Sequence, residues 1–374
     1  MDNSHFEIKT KHKNARTGIL KTKSGDIKTP AFMPVATLGD IKTIPVWDLK
    51  KLGVQLFIAN TYHLHIRPGE KLIKSLGGLH SFMSWEGPIA TDSGGFQVYS
   101  LSTIRKVQSD GILFSSHIDG APLHFTPKKV IDIQISLGSD IMMPLDECAG
   151  YPIGKGYADE VVMRTNRWAE EAIDYYRGLD YNALLFGIIQ GSTYKDLRIK
   201  AALEITNLNF DGYAIGGLMV GESKEQTWEV IDAAITYMPE EKVRYVMGIG
   251  KVDDIIRGAL NGIDLFDCVI PTRNARTGGL YTWEGKININ NARYKDDKRS
   301  ISESCKCPTC KFYSRAYLRH LFNVNEILAK YLATVHNISF YAELMREIRK
   351  NIKKKTIEKW YKKMITKYEG GFDD

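Results

Sequence analysis

Leu184-Leu-Phe-Gly-Ile-Ile189, then Gln190-Gly191, then Tyr194-Lys-Asp-Leu-Arg-Ile-Lys-Ala-Ala-Leu-Glu-Ile-Thr206, holds the architecture in one unit. Six residues with no polar alternation read as a strand buried on both faces. The stretch after the Gln-Gly pair changes to helical period. The same unit recurs along the chain. The other apolar runs are Ala31–Val35, Leu56–Ala59, Pro88–Thr91, Asp140–Leu145, Tyr213–Ile215, Val243–Met247 and Ile263–Phe266. Helical periods fall at Pro45–Leu52, Pro68–Leu76, Pro127–Leu137, Tyr157–Arg177, Tyr194–Thr206, Lys224–Tyr237 and Asp253–Leu260. Eight buried strands alternating with helices predict an α/β fold, a (β/α)8 TIM barrel. A doubly wound open sheet is the rival, but no Gly-x-Gly-x-x-Gly follows the first run.

Phe6 to Lys28 alternates as antiparallel strands turning at Ser24-Gly25-Asp26. Gly111 to Phe125 reads as a hairpin inserted after the third strand, with Asp119-Gly120 in a tight primed turn. Beyond the eighth run, Gly279–Thr282 and Lys286–Asn290 read as short strands, and from Tyr313 the chain is helical almost to its end. Between them lies Cys305-Lys-Cys307-Pro-Thr-Cys310, followed twenty-six residues later by His336. Thiolates separated by one and two residues can converge on one ion, and a distant histidine closes the tetrahedron. The competing reading is three buried free cysteines and an unrelated histidine. A closed Cys₃His set predicts one structural zinc ion per chain, with no open position for chemistry. The expected division is a barrel over residues 1–280 and a zinc-binding helical subdomain over 281–374.

The 374 residues are 43% hydrophobic and 25% charged, ordinary for a globular protein able to bury a large core. Cys148 and Cys268 are isolated, so no disulfide framework is expected and a reducing compartment fits. The opening residues are polar and charged, unlike a signal peptide, and no apolar run approaches a membrane span; a cytoplasmic protein is expected. The net charge of +7 is concentrated: Arg346 to Lys367 holds ten Lys or Arg against Glu347 and Glu358. That segment suits either a polyanion such as RNA or a solvated helix face.

In a barrel of this kind the chemistry sits at the C-terminal ends of the strands. Asp92-Ser-Gly-Gly-Phe96-Gln97 follows the third run, Asp146-Glu-Cys148 the fourth, and Gln190-Gly191 the fifth. Gly216-Gly217-Leu218 follows the sixth, Gly248-Ile-Gly250 the seventh, and Asp267 the eighth. One aspartate at a strand end could simply cap a helix. Three aspartates, a glutamine and glycine pairs on one face point to a pocket. Two carboxylates across a pocket can serve as nucleophile and general acid/base at a glycosidic bond. A third carboxylate with Gln190 can read the edge of a heterocycle, and Phe96, Tyr245 or Met247 can stack on its face. No P-loop, catalytic zinc motif or Ser/Cys–His nucleophile signature is present.

Through these stretches, and through Leu265-Phe-Asp267-Cys-Val-Ile-Pro-Thr-Arg273-Asn-Ala-Arg276 and the cysteine set, the chain resembles the bacterial-type tRNA-guanine transglycosylases over nearly its whole length. The resemblance implies exchange of guanine at the anticodon wobble position of tRNAs of the Asp, Asn, His and Tyr type for 7-aminomethyl-7-deazaguanine, in queuosine biosynthesis. It implies Asp267 as nucleophile forming a covalent ribosyl intermediate, and Asp92 as general acid/base. By the same resemblance Asp146, Gln190, Gly216 and Gly217 hold the base edge, with Phe96 on its face and the Leu218 carbonyl, Cys148 and Val220 near the 7-substituent. Lys251, Arg273 and Arg276 resemble residues that grip the anticodon backbone, and a homodimer is implied. Phe96 stands where some relatives have tyrosine. Two other readings are a non-catalytic RNA-binding subunit, which should lack the paired aspartates, and a carbohydrate hydrolase, which predicts aromatic sugar platforms and no basic terminal helices.

Overall fold

A computed structural model describes residues 5–101 and 105–368. The opening residues 1–4, part of the stretch read against a signal peptide, lie outside the described residues. The first three strands are β1 (Phe6–His12), β2 (Ala15–Thr22) and β3 (Gly25–Thr29), which form an antiparallel sheet. The barrel is built from β4 (Ala31–Ala36), β5 (Phe57–Ala59) and β6 (Ile89–Thr91). Next come β7 (Arg105–Gln108), β8 (Gly111–Ser115) and β9 (Pro122–Phe125), a separate antiparallel sheet. The barrel resumes with β10 (Ile141–Met142), β11 (Leu184–Ile189), β12 (Gly212–Ile215), β13 (Val243–Val246) and β14 (Leu265–Cys268). These eight parallel strands follow one another in chain order around a closed barrel, β14 pairing back onto β4. Each of the eight apolar runs contributes one strand.

Strand periodicity sorts the side chains. Leu184, Phe186 and Ile188 of β11 point inward, packing with Met33, Ile58, Ala90, Ile141, Ala214, Tyr245 and Leu265. Leu185 and Ile189 point outward against the helices. The N-terminal sheet plugs the barrel floor: Phe6, Leu20 and Ile27 join the interior cluster. Arg16 beside it pairs with fully buried Asp264 at the start of the last strand.

The helix Pro127–Leu137 shows how sequence sets boundaries here. Thr126 accepts a hydrogen bond from the Lys129 N–H, Pro127 occupies the first turn, and Gly138 ends the helix at φ 83°. Five helices were not foreseen: Thr61–Ile66, Gly78–Met83, Gly95–Leu101, Ile270–Arg276 and Pro308–Phe312. All have five to seven residues, too short to establish a period. The expected two-residue turn at Asp119-Gly120 is instead a six-residue loop between Ser115 and Pro122. Its geometry is set by the Ser116 N–H to Ala121 O bond and by Gly120 at φ 74°. The hairpin also gains a third strand, β7.

After β14 the chain makes only the short helix Ile270–Arg276, then a hairpin of β15 (Gly279–Thr282) and β16 (Gly285–Asn288). The outer ring is completed from far along the chain. The 27-residue helix Ile327–Lys353 packs on β4, Val46–Leu52 and Ile270–Arg276, and Ile357–Tyr368 packs on Val252–Leu260. Phe340, Tyr341, Leu344, Ile348, Met364 and Tyr368 thereby share one buried cluster with Phe32 and Phe266. None of the described helices is long and apolar enough to cross a membrane.

Candidate active site and metal centre

At the C-terminal ends of the strands lies a cavity of about 410 Å³. Asp92, Phe96, Asp146, Cys148, Gly217, Leu218, Tyr245, Met247, Asp267 and Arg273 line it, as the strand-end pattern predicts. Asp267 comes from β14, whose last two residues pair with Met33 and Pro34 of β4. Its Oδ1 accepts the Tyr245 O–H at 2.5 Å and the Gly248 N–H at 2.9 Å. Burial raises the Asp267 pKa above the ordinary 3.8, and these two donors pull it back.

Asp92 stands directly after β6. Its Oδ1 accepts the Thr61 N–H at 2.9 Å and its Oδ2 the Asn60 amide at 2.5 Å. Burial pushes its carboxyl up to about 7, against the opposing Thr61 N–H, and the negative charges of Asp267 and Asp146 push the same way. A carboxyl in that range carries and releases a proton near neutral pH.

Asp146 and Gln190 form a joined pair, the Gln190 Nε2 donating to Asp146 Oδ2 at 2.7 Å while Ser93 donates to Oδ1. Burial raises the Asp146 pKa, and Ser93 and Gln190 oppose it. Gln190 lies just behind the cavity wall, 1% exposed. Gly217, at φ 64°, has to be glycine: a Cβ there would sit 2.1 Å from Gln190 Oε1. Gly216 packs on Ile188, Gln190 and Met247. Beside Asp146, buried Cys148 has its thiol pushed up to about 12 by burial and by the Asp146 charge, so it stays neutral and inert.

Besides Gln190 and Gly216, three predicted residues do not line the cavity. Val220 donates its N–H to Glu222, and exposed Met219 takes the lining position instead. Lys251 is exposed at the start of the helix Val252–Leu260. Arg276 sits half-buried behind Arg273, its pKa lowered by burial and by that neighbouring charge. Tyr245 differs in kind from the expectation. Its ring belongs to the barrel interior and its hydroxyl holds Asp267, so it anchors a carboxylate and does not stack. Asn60 and Thr61 were not singled out, Ser93 entered only as part of the Asp92 stretch, and Gly248 was read as a strand-end glycine without its role as a donor to Asp267. Asn60 follows β5 directly, and the strand-end rule extended to that strand finds it.

The first half of the basic tail, Arg346 to Lys354, lies away from the cavity. Arg349 donates to Pro30 O at 2.6 Å, immediately before β4, and with Arg346, Lys350, Lys353 and Lys354 borders a hollow. That is the N-terminal end of the barrel.

Cys305, Cys307, Cys310 and His336 converge, their ligand atoms all within 4.8 Å of one another. The three sulfurs stand 3.3–3.7 Å from His336 Nδ1. His336 Nε2 donates to Tyr281 O at 2.8 Å, which leaves Nδ1 as the lone-pair nitrogen facing the sulfurs. Three thiolates and one oriented imidazole with no open position fit a structural zinc ion. The next residue, Asn337, donates to Pro271 O and Gly279 O, both at 2.9 Å, and accepts from the Tyr281 N–H.

The family model described as queuine tRNA-ribosyltransferase matches residues 11–370. The chain belongs to the queuine tRNA-ribosyltransferase family. Family membership makes it an enzyme, a transferase of the pentosyl class. A protein named queuine tRNA-ribosyltransferase from Thermoanaerobacter pseudethanolicus is 49% identical over 355 residues, covering 95% of this chain and 94% of the relative. One of the same name from Caldanaerobacter subterraneus subsp. tengcongensis is 49% identical over 360 residues, 96% of each chain. A third, from Desulforamulus reducens, is 47% identical over 366 residues, 98% of each.

Proposed function

We propose that this chain is a tRNA-guanine transglycosylase that replaces guanine at the anticodon wobble position with 7-aminomethyl-7-deazaguanine. The observation that carries the reading is the pair Asp92 and Asp267 on one cavity. Both hydrogen bonds to Asp267 fall on Oδ1, so Oδ2 has no protein partner among the described residues and is the oxygen for attack. In the first half-reaction Oδ2 bonds to C1′ of the target ribose while the C1′–N9 bond breaks. The bond pair leaves with guanine, which takes a proton from Asp92. In the second, Asp92 removes a proton from the incoming base, whose nitrogen attacks C1′ and releases Asp267. The ester holds the glycosidic bond energy, so no external energy source is needed. Asp146 with Gln190 and Gly217 reads the base edge, and Phe96 at the mouth, 47% exposed, offers a face for a flipped base.

Arg273 at the cavity supplies charge for the RNA backbone. The protein works on tRNA in the cytoplasm, with residues 281–374 as its zinc-bearing subdomain. We infer a homodimer as well. The exposed Phe312, Tyr317, Val324 and Ile327 near the metal segment supply an apolar face for it, and sedimentation mass tests this.

The decisive experiment incubates the protein with unmodified tRNA and labelled guanine. Incorporation is expected, together with a denaturation-resistant tRNA adduct that Asp267→Asn abolishes while tRNA binding persists. An adduct at wild-type yield in that variant would put the nucleophile elsewhere. A second competition sets 7-aminomethyl-7-deazaguanine against queuine. The Leu218 carbonyl would accept a charge-assisted hydrogen bond from the aminomethyl cation, worth about 1.5–3 kcal/mol, whereas Val220, expected to crowd out queuine, does not line the cavity. Equal incorporation of queuine would remove that preference and leave the reaction class intact.

A further inference from the structure

Arg198 is 0% exposed, and its hydrogen-bond partners among the described residues are all backbone carbonyls. An isolated buried cation is costly, so its surroundings have to stabilise it. Four carbonyls do so. Its Nη1 donates to Ile189 O at 2.7 Å and to Gly216 O at 2.8 Å, its Nη2 to Gly217 O at 3.3 Å, and its Nε to Ser192 O at 2.8 Å. These oxygens belong to two loops, one leaving β11 and one leaving β12. The first carries Gln190 and the second Gly217. The helix Lys195–Asn207 brings Arg198 underneath them because Gly191, at φ 137°, leaves room: a Cβ there would lie 2.8 Å from the Arg198 nitrogen. Burial lowers the guanidinium pKa to about 9, partly offset by the Glu222 charge, which leaves the group cationic at neutral pH.

The Gly216 carbonyl and the Gly217 N–H are two ends of one peptide group. A cationic donor on the oxygen draws electron density from the nitrogen and makes that N–H a stronger donor. From the other side, Glu222 holds the N–H groups of Met219 and Val220. The loop is therefore fixed at both ends with Gly217 and Leu218 on the cavity between them.

We propose that Arg198 is the positioning residue of the base-reading edge: it locks the two loops in register and strengthens the Gly217 N–H toward a carbonyl oxygen of the base. This rests on the reading that Gln190 and Gly217 face that edge. The test compares wild type, Arg198→Lys and Arg198→Met for KM of guanine, tRNA affinity, kcat, zinc content and melting temperature. Lysine keeps the charge but reaches fewer of the four carbonyls, so it should raise the guanine KM about tenfold; methionine should raise it further. Affinity for tRNA should stay within about twofold, because the RNA-facing residues are untouched. 2-Aminopurine, which lacks the carbonyl oxygen, separates the two effects: a loss confined to guanine reports the Gly217 N–H, and a loss shared by both bases with tRNA affinity kept reports the loop register. A folded variant with an unchanged guanine KM, or one losing guanine and tRNA affinity in equal measure, overturns the proposal. If methionine does not fold, the lysine variant decides alone. Failure of wild type to exchange guanine would refute the proposed function, whereas normal wild-type exchange with an indifferent lysine variant would refute only the role of Arg198.

Discussion

Tyr245 reaches from β13 to β14 and donates its phenolic O–H to Asp267 Oδ1 across 2.5 Å. The donor stabilises the ionised form of a carboxylate whose pKa burial raises. With the Gly248 N–H on the same atom, it leaves Oδ2 as the oxygen proposed for attack.

Tyr245→Phe removes that donor and leaves the ring in the core. The Asp267 pKa should rise further, and adduct formation should require higher pH. A hydrogen bond to a charged group is worth about 1.5–3 kcal/mol, equivalent to about one to two pH units. The pH profile of adduct formation with tRNA measures this. An acidic limb that stays in place would show that Tyr245 does not tune the nucleophile.

Asp92 titrates at about 7 in the fold against the ordinary 3.8, so its ionised form is the disfavoured one. Its raised pKa favours the folded state at low pH. That contribution is lost as pH rises from about 4 to about 7. Asp92→Asn should be inactive, and the wild-type base-exchange profile should show an ionisation near 7. The variant should also melt higher than wild type at pH 8, by about 1–3 kcal/mol once partial solvent access is discounted. The two should converge near pH 4.5. A gap that fails to grow with pH would rule out the assignment.

His336→Ala should lower zinc content and thermal stability together, by at least about 2 kcal/mol, because the ion stabilises the folded chain and performs no chemistry. Metal analysis beside a melting curve suffices. An unchanged melting temperature in a metal-free variant would remove the zinc from the account of stability.

Charge near the cavity and charge on the tail should separate. Arg273→Ala should weaken binding of an anticodon stem-loop and reduce its salt slope by about 1. Replacing Lys353, Lys354 and Lys355 with serine should leave stem-loop affinity within about twofold, since Lys353 and Lys354 lie at the opposite end of the barrel. The reverse order of effects would mean that the RNA lies along the barrel floor.

The barrel was legible because buried parallel strands are continuous apolar runs, and Leu184–Ile189 appears with the same limits in sequence and structure. Its polar ends were legible for the same reason, since a charged residue directly after such a run has only the cavity to face. What the sequence did not reveal depends on side-chain direction or on distant packing. Tyr245 reads as an aromatic platform until its ring is seen inside the barrel. Asn60 follows a strand of only three residues and looks like a helix cap, which it also is. The run at Lys353 declares charge but not location, because where a terminal helix docks is decided by the apolar face of Phe340, Leu344 and Ile348.

His336 and Asn337 are consecutive on one helix, the first turned to the metal and the second to the backbone of Pro271, just behind the catalytic strand. Four residues on, Tyr341 donates to Gly250 O at 2.6 Å, and a Cβ on Gly250 would lie 2.3 Å from Cys268 Cβ, next to Asp267. The tail is therefore not an interchangeable part. A crossover between two relatives placed after residue 280 would pair one parent's Gly250 and Pro271 with the other's helix. Such hybrids should retain zinc yet misplace the nucleophile. Viable breakpoints have to lie where the segments from Gly250 to Tyr281 and from Cys305 to Tyr341 are inherited together.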